Sequence, residues 1–222
     1  AVRRLQESAA ARAPRSLLRR SGVITLARSS KQLAALQSTQ KQWRDCGAEF
    51  ELLGKEELKS YLDTDRYCGA LLCAEGGTIQ PFAYAAALAQ DAADAGAEIF
   101  ENSRVISIDS KQGRWLLRTS QGEICANKIA IATNAYGDAI WIGLERSFYR
   151  VQMAMIASEK LPSSTISRMP RRTPFADVGA LAIFGGMIDA EDRFIASVFP
   201  GFANVNDPRA LAKSFDSQFR RT

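Results

Sequence analysis

The chain has 222 residues, 46% of them apolar, 24% charged and 9% aromatic, which is the composition of a globular protein with enough length for a core without disulfide or metal staples. It contains no histidine, so a Ser-His-Asp triad, a Cys-His dyad, a histidine-ligated metal and an imidazole general base are all excluded from this chain, and catalysis would fall to carboxylates, Lys, Tyr, Cys or a cofactor. The formal charge of +5 is local: residues 1–44 hold 10 Lys/Arg against one acid and residues 45–222 hold 19 against 23, and with Trp43 the one aromatic residue in the basic stretch it reads as a solvated helix face and not a nucleic-acid surface.

Residues 1–20 permit a helix that stops at Arg19-Arg20-Ser21-Gly22, and their Arg, Ala and Ser content overlaps that of a mitochondrial transit peptide. Val23 to Ala27 is a short β-type run. A serine at 29 or 30 can cap a helix through about Cys46, with Leu33, Leu36 and Trp43 on its buried face and Gly47 as its stop. Phe50 to Leu53 reads as a strand, Lys55 to Leu58 as a short helix, Ala70 to Cys73 as a strand and Gly76-Gly77 as a turn. Pro81 suits the first turn of an alanine-rich helix that runs to about Ala95 and ends at Gly96.

Ala97 to Glu101 is expected as a strand, and Val105–Ile108, Trp115–Thr119 and Ile124–Ala126, separated by glycine-bearing turns, as a three-stranded antiparallel meander. Lys128 to Thr133 is apolar on both faces, the pattern of a strand inside a parallel, helix-covered sheet, and Asn134-Ala135-Tyr136-Gly137-Asp138 breaks it. A loop at the carboxyl end of such a strand is where doubly wound sheets bind ligands. Phe148 to Ser158 reads as one long strand, residues 165–180 as irregular, and Leu181–Phe184 and Phe194–Phe199 as strands joined through Gly185-Gly186 and the acidic turn Asp189–Asp192, with a helix in the last ten residues.

Cys46, Cys68, Cys73 and Cys125 include no C-x-x-C, and without histidine a zinc site would need all four at irregular spacing. Buried, reduced thiols of a cytoplasmic protein are the simpler expectation. No apolar run approaches the ~18 residues of a membrane span.

Gly76-Gly77-Thr78-Ile79-Gln80-Pro81, the alanine-rich helix ending Asp94-Ala95-Gly96-Ala97-Glu98-Ile99, then Ser103-Arg104-Val105-Ile106-Ser107-Ile108, the meander and Ile131-Ala132-Thr133-Asn134-Ala135-Tyr136 follow in an order that resembles the FAD-dependent oxidoreductases of the D-amino-acid oxidase type. Within that group the likeness is to bacterial enzymes oxidising gamma-glutamylputrescine and similar amines. It covers about residues 15–160. The resemblance implies a mixed α/β chain: part of a Rossmann-like FAD-binding domain with a meander over residues 1–147, then part of an antiparallel substrate-domain sheet over 148–222.

It also implies roles. Val105 would meet the adenine end of FAD through its backbone, and Ala132, Thr133 and Asn134 would pass close to the dinucleotide. Many relatives have Gly where this chain has Asn134, and Asn is the residue next best able to take a left-handed backbone. Tyr149, Arg150, Gln152 and Met153 are substrate-wall candidates, Arg150 as partner of a carboxylate or, the preferred reading, as a solvated guanidinium on a sheet. The implied reaction is hydride transfer from the carbon bearing an amine to FAD, giving an imine that water hydrolyses, with a small amine or amino acid as substrate and no nucleic-acid partner. It needs no imidazole.

The departure from the family pattern is the phosphate loop. No two glycines are spaced i, i+2, so there is no G-x-G-x-x-G turn to seat a pyrophosphate on a helix N-terminus. The expectation is therefore an internal segment of such an enzyme, its FAD site incomplete, or a noncatalytic remnant that no longer binds FAD.

Overall fold

A computed structural model describes residues 18–137, 140–178, 183–198 and 207–221 of the chain. Two compact units divide it, Ala1–Leu88 with Gln152–Thr222, and Ala89–Val151.

The first unit is organised by a seven-stranded sheet. Its strands are β2 (Val23–Ala27), β3 (Glu51–Gly54), β4 (Gly69–Cys73), β9 (Ala154–Lys160), β10 (Phe175–Val178), β11 (Ile183–Ile188) and β12 (Arg193–Val198), in the spatial order β3-β4-β2-β10-β11-β12-β9. Neighbouring strands run antiparallel except β10 and β2, which are parallel. The sheet thus takes strands from both sides of residue 147, because β10 returns to pair with β2. A separate two-stranded pair joins β1 (Leu18–Arg19) to β5 (Thr78–Ile79), so the end of the stretch expected as a helix is extended; residues 1–17 lie outside the described residues.

Alternation along β2 and β4 sorts the core. Ile24 and Leu26 face Leu72 and Ala70 on one side, joined by Leu53, Leu58, Tyr67, Met169, Phe175, Ile188 and Ala196. Full burial of one such aliphatic side chain is worth roughly 1.5–3 kcal/mol. Ala27 and Leu71 face the opposite side, where the helix α1 (Ser30–Asp45) packs through Leu36. Its cap is as expected: the Ser29 hydroxyl accepts the Gln32 N–H at 3.3 Å, and Gln32 Oε1 accepts the N–H of Arg28 at 2.7 Å. Trp43, expected on the buried face, is exposed and contacts Phe50 in a tilted ring pair, 5.7 Å between centroids.

The short helix α2 (Lys55–Leu58) follows β3 directly, and α3 (Pro81–Asp94) begins at its proline as the sequence predicts. Residues 165–180, expected irregular, contain the end of α4 (Ser163–Ile166) and the whole of β10. Gly185-Gly186 is not a turn but lies within β11: a Cβ on Gly186 would stand 2.5 Å from the Phe194 ring, and Phe194 in turn stacks on Phe175. Glycine is there to admit the aromatic pair. The acidic turn before β12 is as expected, and the last helix, α5, spans Pro208–Arg221. Residues 181, 182 and 199 of the two expected strands lie outside the described residues.

The second unit contains the meander β6 (Val105–Lys111), β7 (Arg114–Thr119) and β8 (Glu123–Ala126), antiparallel in the order β6-β7-β8 as predicted. Two expectations fail here. Residues 97–101 form no strand, and Lys128–Thr133, expected as a buried parallel strand, is largely exposed with no ladder partner. A run apolar on both faces is a strand only between neighbouring strands, and among the described residues none lies beside it. The long strand expected from Phe148 is β9 alone, from Ala154. Trp141 contacts Trp115 of β7 at 5.7 Å between ring centroids.

Candidate functional site

In the second unit Thr133–Gly137 form a short turn. Asn134 sits at φ 49°, in the left-handed region, as its residue type allows, and its Oδ1 accepts the N–H of Ala135 at 2.8 Å. A single 3-10 turn, Asn134–Tyr136, follows, closed by the Tyr136 N–H on the Thr133 carbonyl at 3.1 Å. Gly137 ends the turn buried, and a Cβ there would lie 2.6 Å from the Thr133 hydroxyl. Ala132, Thr133 and Asn134 present an exposed surface.

Val105 opens β6, an edge of its sheet. It pairs with Thr119, and the ladder then slips so that Ser107 pairs with Arg118, leaving Ile106 as the extra residue of a bulge. Edge and bulge together leave backbone N–H and C=O groups of this segment available to a ligand.

Of the substrate-wall candidates, Tyr149 is 98% exposed. Arg150 donates from Nη2 to the Gly137 carbonyl at 2.7 Å and lies 6.0 Å from the Phe148 ring centroid. Gln152 and Met153, in the other unit, are exposed and precede β9 without secondary structure. The cysteines form no disulfide, and Cys46 and Cys125 are exposed while Cys68 and Cys73 are half-buried, so the expectation of four buried thiols fails. Among the described residues there is no cluster of metal-ligating side chains, and no helix long and apolar enough to cross a membrane.

The sequence reading missed a buried polar cluster in the first unit. Asp177 of β10 is 1% exposed, and its Oδ2 accepts from Tyr67 Oη at 2.8 Å, Arg28 Nε at 2.7 Å and Arg28 Nη2 at 2.5 Å. Its Oδ1 has no hydrogen-bond partner. Burial, and then the bond to Asp177, push the Tyr67 hydroxyl well above its ordinary pKa; burial works against the charge of Arg28, but its bonds to Asp177 outweigh this and raise its pKa. The one available signal is alternation: Asp177 shares the inward face of β10 with Phe175.

Val105 at the strand edge and the exposed residues 132–134 are the groups this chain would offer to an adenine and ribose, while no two glycines in it are spaced i, i+2 as a pyrophosphate turn requires.

The model of the family described as FAD dependent oxidoreductase matches residues 1–215. The chain is 31% identical over 146 residues to a probable oxidoreductase OrdL of Haemophilus influenzae, covering 63% of this chain and 34% of that protein. It is 31% identical over 144 residues to the gamma-glutamylputrescine oxidoreductase of Escherichia coli, covering 64% and 34%. The chain thus spans about a third of the length of these relatives. Among solved structures, glycine oxidase from Geobacillus kaustophilus superposes with a TM-score of 0.66 at 21% identity, over 95% of this chain and 56% of that one. L-proline dehydrogenase from P. horikoshii superposes with a TM-score of 0.71 at 16% identity, over 97% and 61%. These likenesses bear out the mixed α/β fold class.

Proposed function

The chain belongs to the family of FAD-dependent oxidoreductases, and from that premise we propose that it forms the adenine-side part of an FAD site and part of a substrate domain in an enzyme that oxidises an amine or amino acid at a C–N bond. FAD, when bound, supplies the acceptor for the hydride that leaves the amine-bearing carbon, and the imine is hydrolysed by water. This chain's residues position the reactants. Val105 offers backbone at an open edge, and Ala132, Thr133 and Asn134 offer a preformed loop. Tyr149, Gln152 and Met153 are each exposed for substrate contact. The observation that carries the reading is Asn134: a non-glycine residue held left-handed, at the head of an exposed loop that the resemblance assigns to the dinucleotide.

The substrate class rests on relatives whose names specify gamma-glutamylputrescine and glycine. The functional division is proposed with it: residues 105–137 serve the cofactor, and Tyr149, Gln152 and Met153 serve the substrate. A second reading is a noncatalytic remnant of the same fold that does not bind FAD.

Amide NMR spectra of the 222-residue chain titrated with FAD, AMP and FMN separate the two. FAD and AMP are expected to shift Val105 and Thr133–Asn134, while FMN, which lacks adenine, leaves Val105 unmoved. Absence of shifts with FAD and AMP would overturn the first reading in favour of the second.

A further inference from the structure

The Thr133–Gly137 loop is exposed along Ala132, Thr133 and Asn134, so its shape has to be held from within. Two devices are local: the left-handed Asn134 with its side chain on the Ala135 N–H, and the close approach of Gly137 to Thr133. The third is not. Arg150, 13 residues on, donates from Nη2 to the Gly137 carbonyl at 2.7 Å. Gly137 follows the last residue of the 3-10 turn, where carbonyls lack intrahelical donors and carry partial negative charge, so a guanidinium there satisfies a carbonyl and complements the turn dipole. Arg suits this task, since its planar fork keeps one donor on the carbonyl while its guanidinium carbon lies over the Phe148 ring, 6.0 Å from the centroid.

We propose that Arg150 is a positioning residue that fixes the Thr133–Gly137 loop in the conformation the cofactor reads, and not the ligand of a substrate carboxylate. This rests on the assignment of the loop to FAD. Arg150 is itself exposed, so its bond contributes little to global stability. Its loss acts on the loop: Gly137 is released, and the turn begun at Asn134 frays toward other conformations. A guanidinium engaged on Gly137 does not offer that donor to a carboxylate, so at this position an amine substrate without a carboxylate forfeits nothing.

The test compares the wild-type chain with Arg150→Gln and Arg150→Lys. Hydrogen–deuterium exchange without ligand is read over residues 133–137 and, as the internal control, over the meander at 105–126. Exchange in the loop is expected to rise about fivefold in Arg150→Gln, the scale of one partly screened charge-assisted bond, and to return toward wild type in Arg150→Lys, with the meander unchanged. FAD affinity, from quenching of flavin fluorescence, is expected to fall about as much in Arg150→Gln and to recover in Arg150→Lys. No change in loop exchange overturns the proposal whatever FAD does. Faster exchange with unaltered FAD affinity overturns its cofactor half. If no variant, wild type included, binds FAD, the assignment of the loop to FAD fails, and loop exchange alone decides whether Arg150 positions it, a rise with lysine rescue supporting it and no rise overturning it.

Discussion

Arg28 and Asp177, 149 residues apart, meet at 2.5 Å beside the parallel pairing of β2 and β10, with Asp177 1% exposed and Arg28 33% exposed. The pair closes the sheet where two distant parts of the chain join. Tyr67 donates to the same Asp177 oxygen, so three segments converge on one carboxylate.

Removing the guanidinium leaves the Asp177 carboxylate, 1% exposed, without its cation. Arg28→Ala is therefore expected to cost about 3–5 kcal/mol in urea denaturation, as for other buried pairs broken on one side. Asp177→Ala should cost less, because the Arg28 guanidinium it leaves behind keeps partial access to water. Equal costs would contradict the asymmetry of burial.

Leu26 is fully buried in β2, where it faces Ala70 across the ladder. Leu26→Ala should destabilise the chain by about 2–5 kcal/mol, through lost burial and the cavity left behind. A cost under about 1 kcal/mol, measured by the same denaturation, would mean that the β2–β4 core collapses around the gap.

A methyl group on Gly137 would meet the Thr133 hydroxyl at 2.6 Å. Gly137→Ala is expected to cost about 1–3 kcal/mol by overpacking. Most of that should vanish in the Thr133→Ala background, which removes the opposing atom. A double-mutant cycle reads the coupling directly, and additive effects would place the strain elsewhere.

Asp189 gives a pH dependence of known sign. Burial alone would raise its pKa, but backbone and side-chain bonds from Arg193, at 2.9 Å each, outweigh it and hold the carboxyl below its ordinary value. Such a group contributes stability that is present above its unfolded pKa, near 4, and lost as pH falls through the folded value. Thermal melts should place wild type above Asp189→Asn at about pH 7, with the gap closing below about pH 4. A gap that stays constant into acid would rule out ionisation of Asp189 as its source.

Local chemistry made much of this protein legible in its sequence. Ser29 capping α1, Pro81 opening α3, glycine-bearing turns spacing the meander and a left-handed Asn134 each depend on residues a few positions apart, and the structure has them as read. What the sequence did not disclose depends on pairing at long range. A strand such as β10 exists because β2 lies beside it, and Lys128–Thr133 is not a strand because nothing described does. Gly185-Gly186 looks like a turn until Phe194 is known to lie over it. The same physics governs the sites: the resemblance put Arg150 on the substrate wall, as partner of a carboxylate or as a solvated guanidinium, but only the fold, by bringing its guanidinium to the Gly137 carbonyl, set what that charge faces.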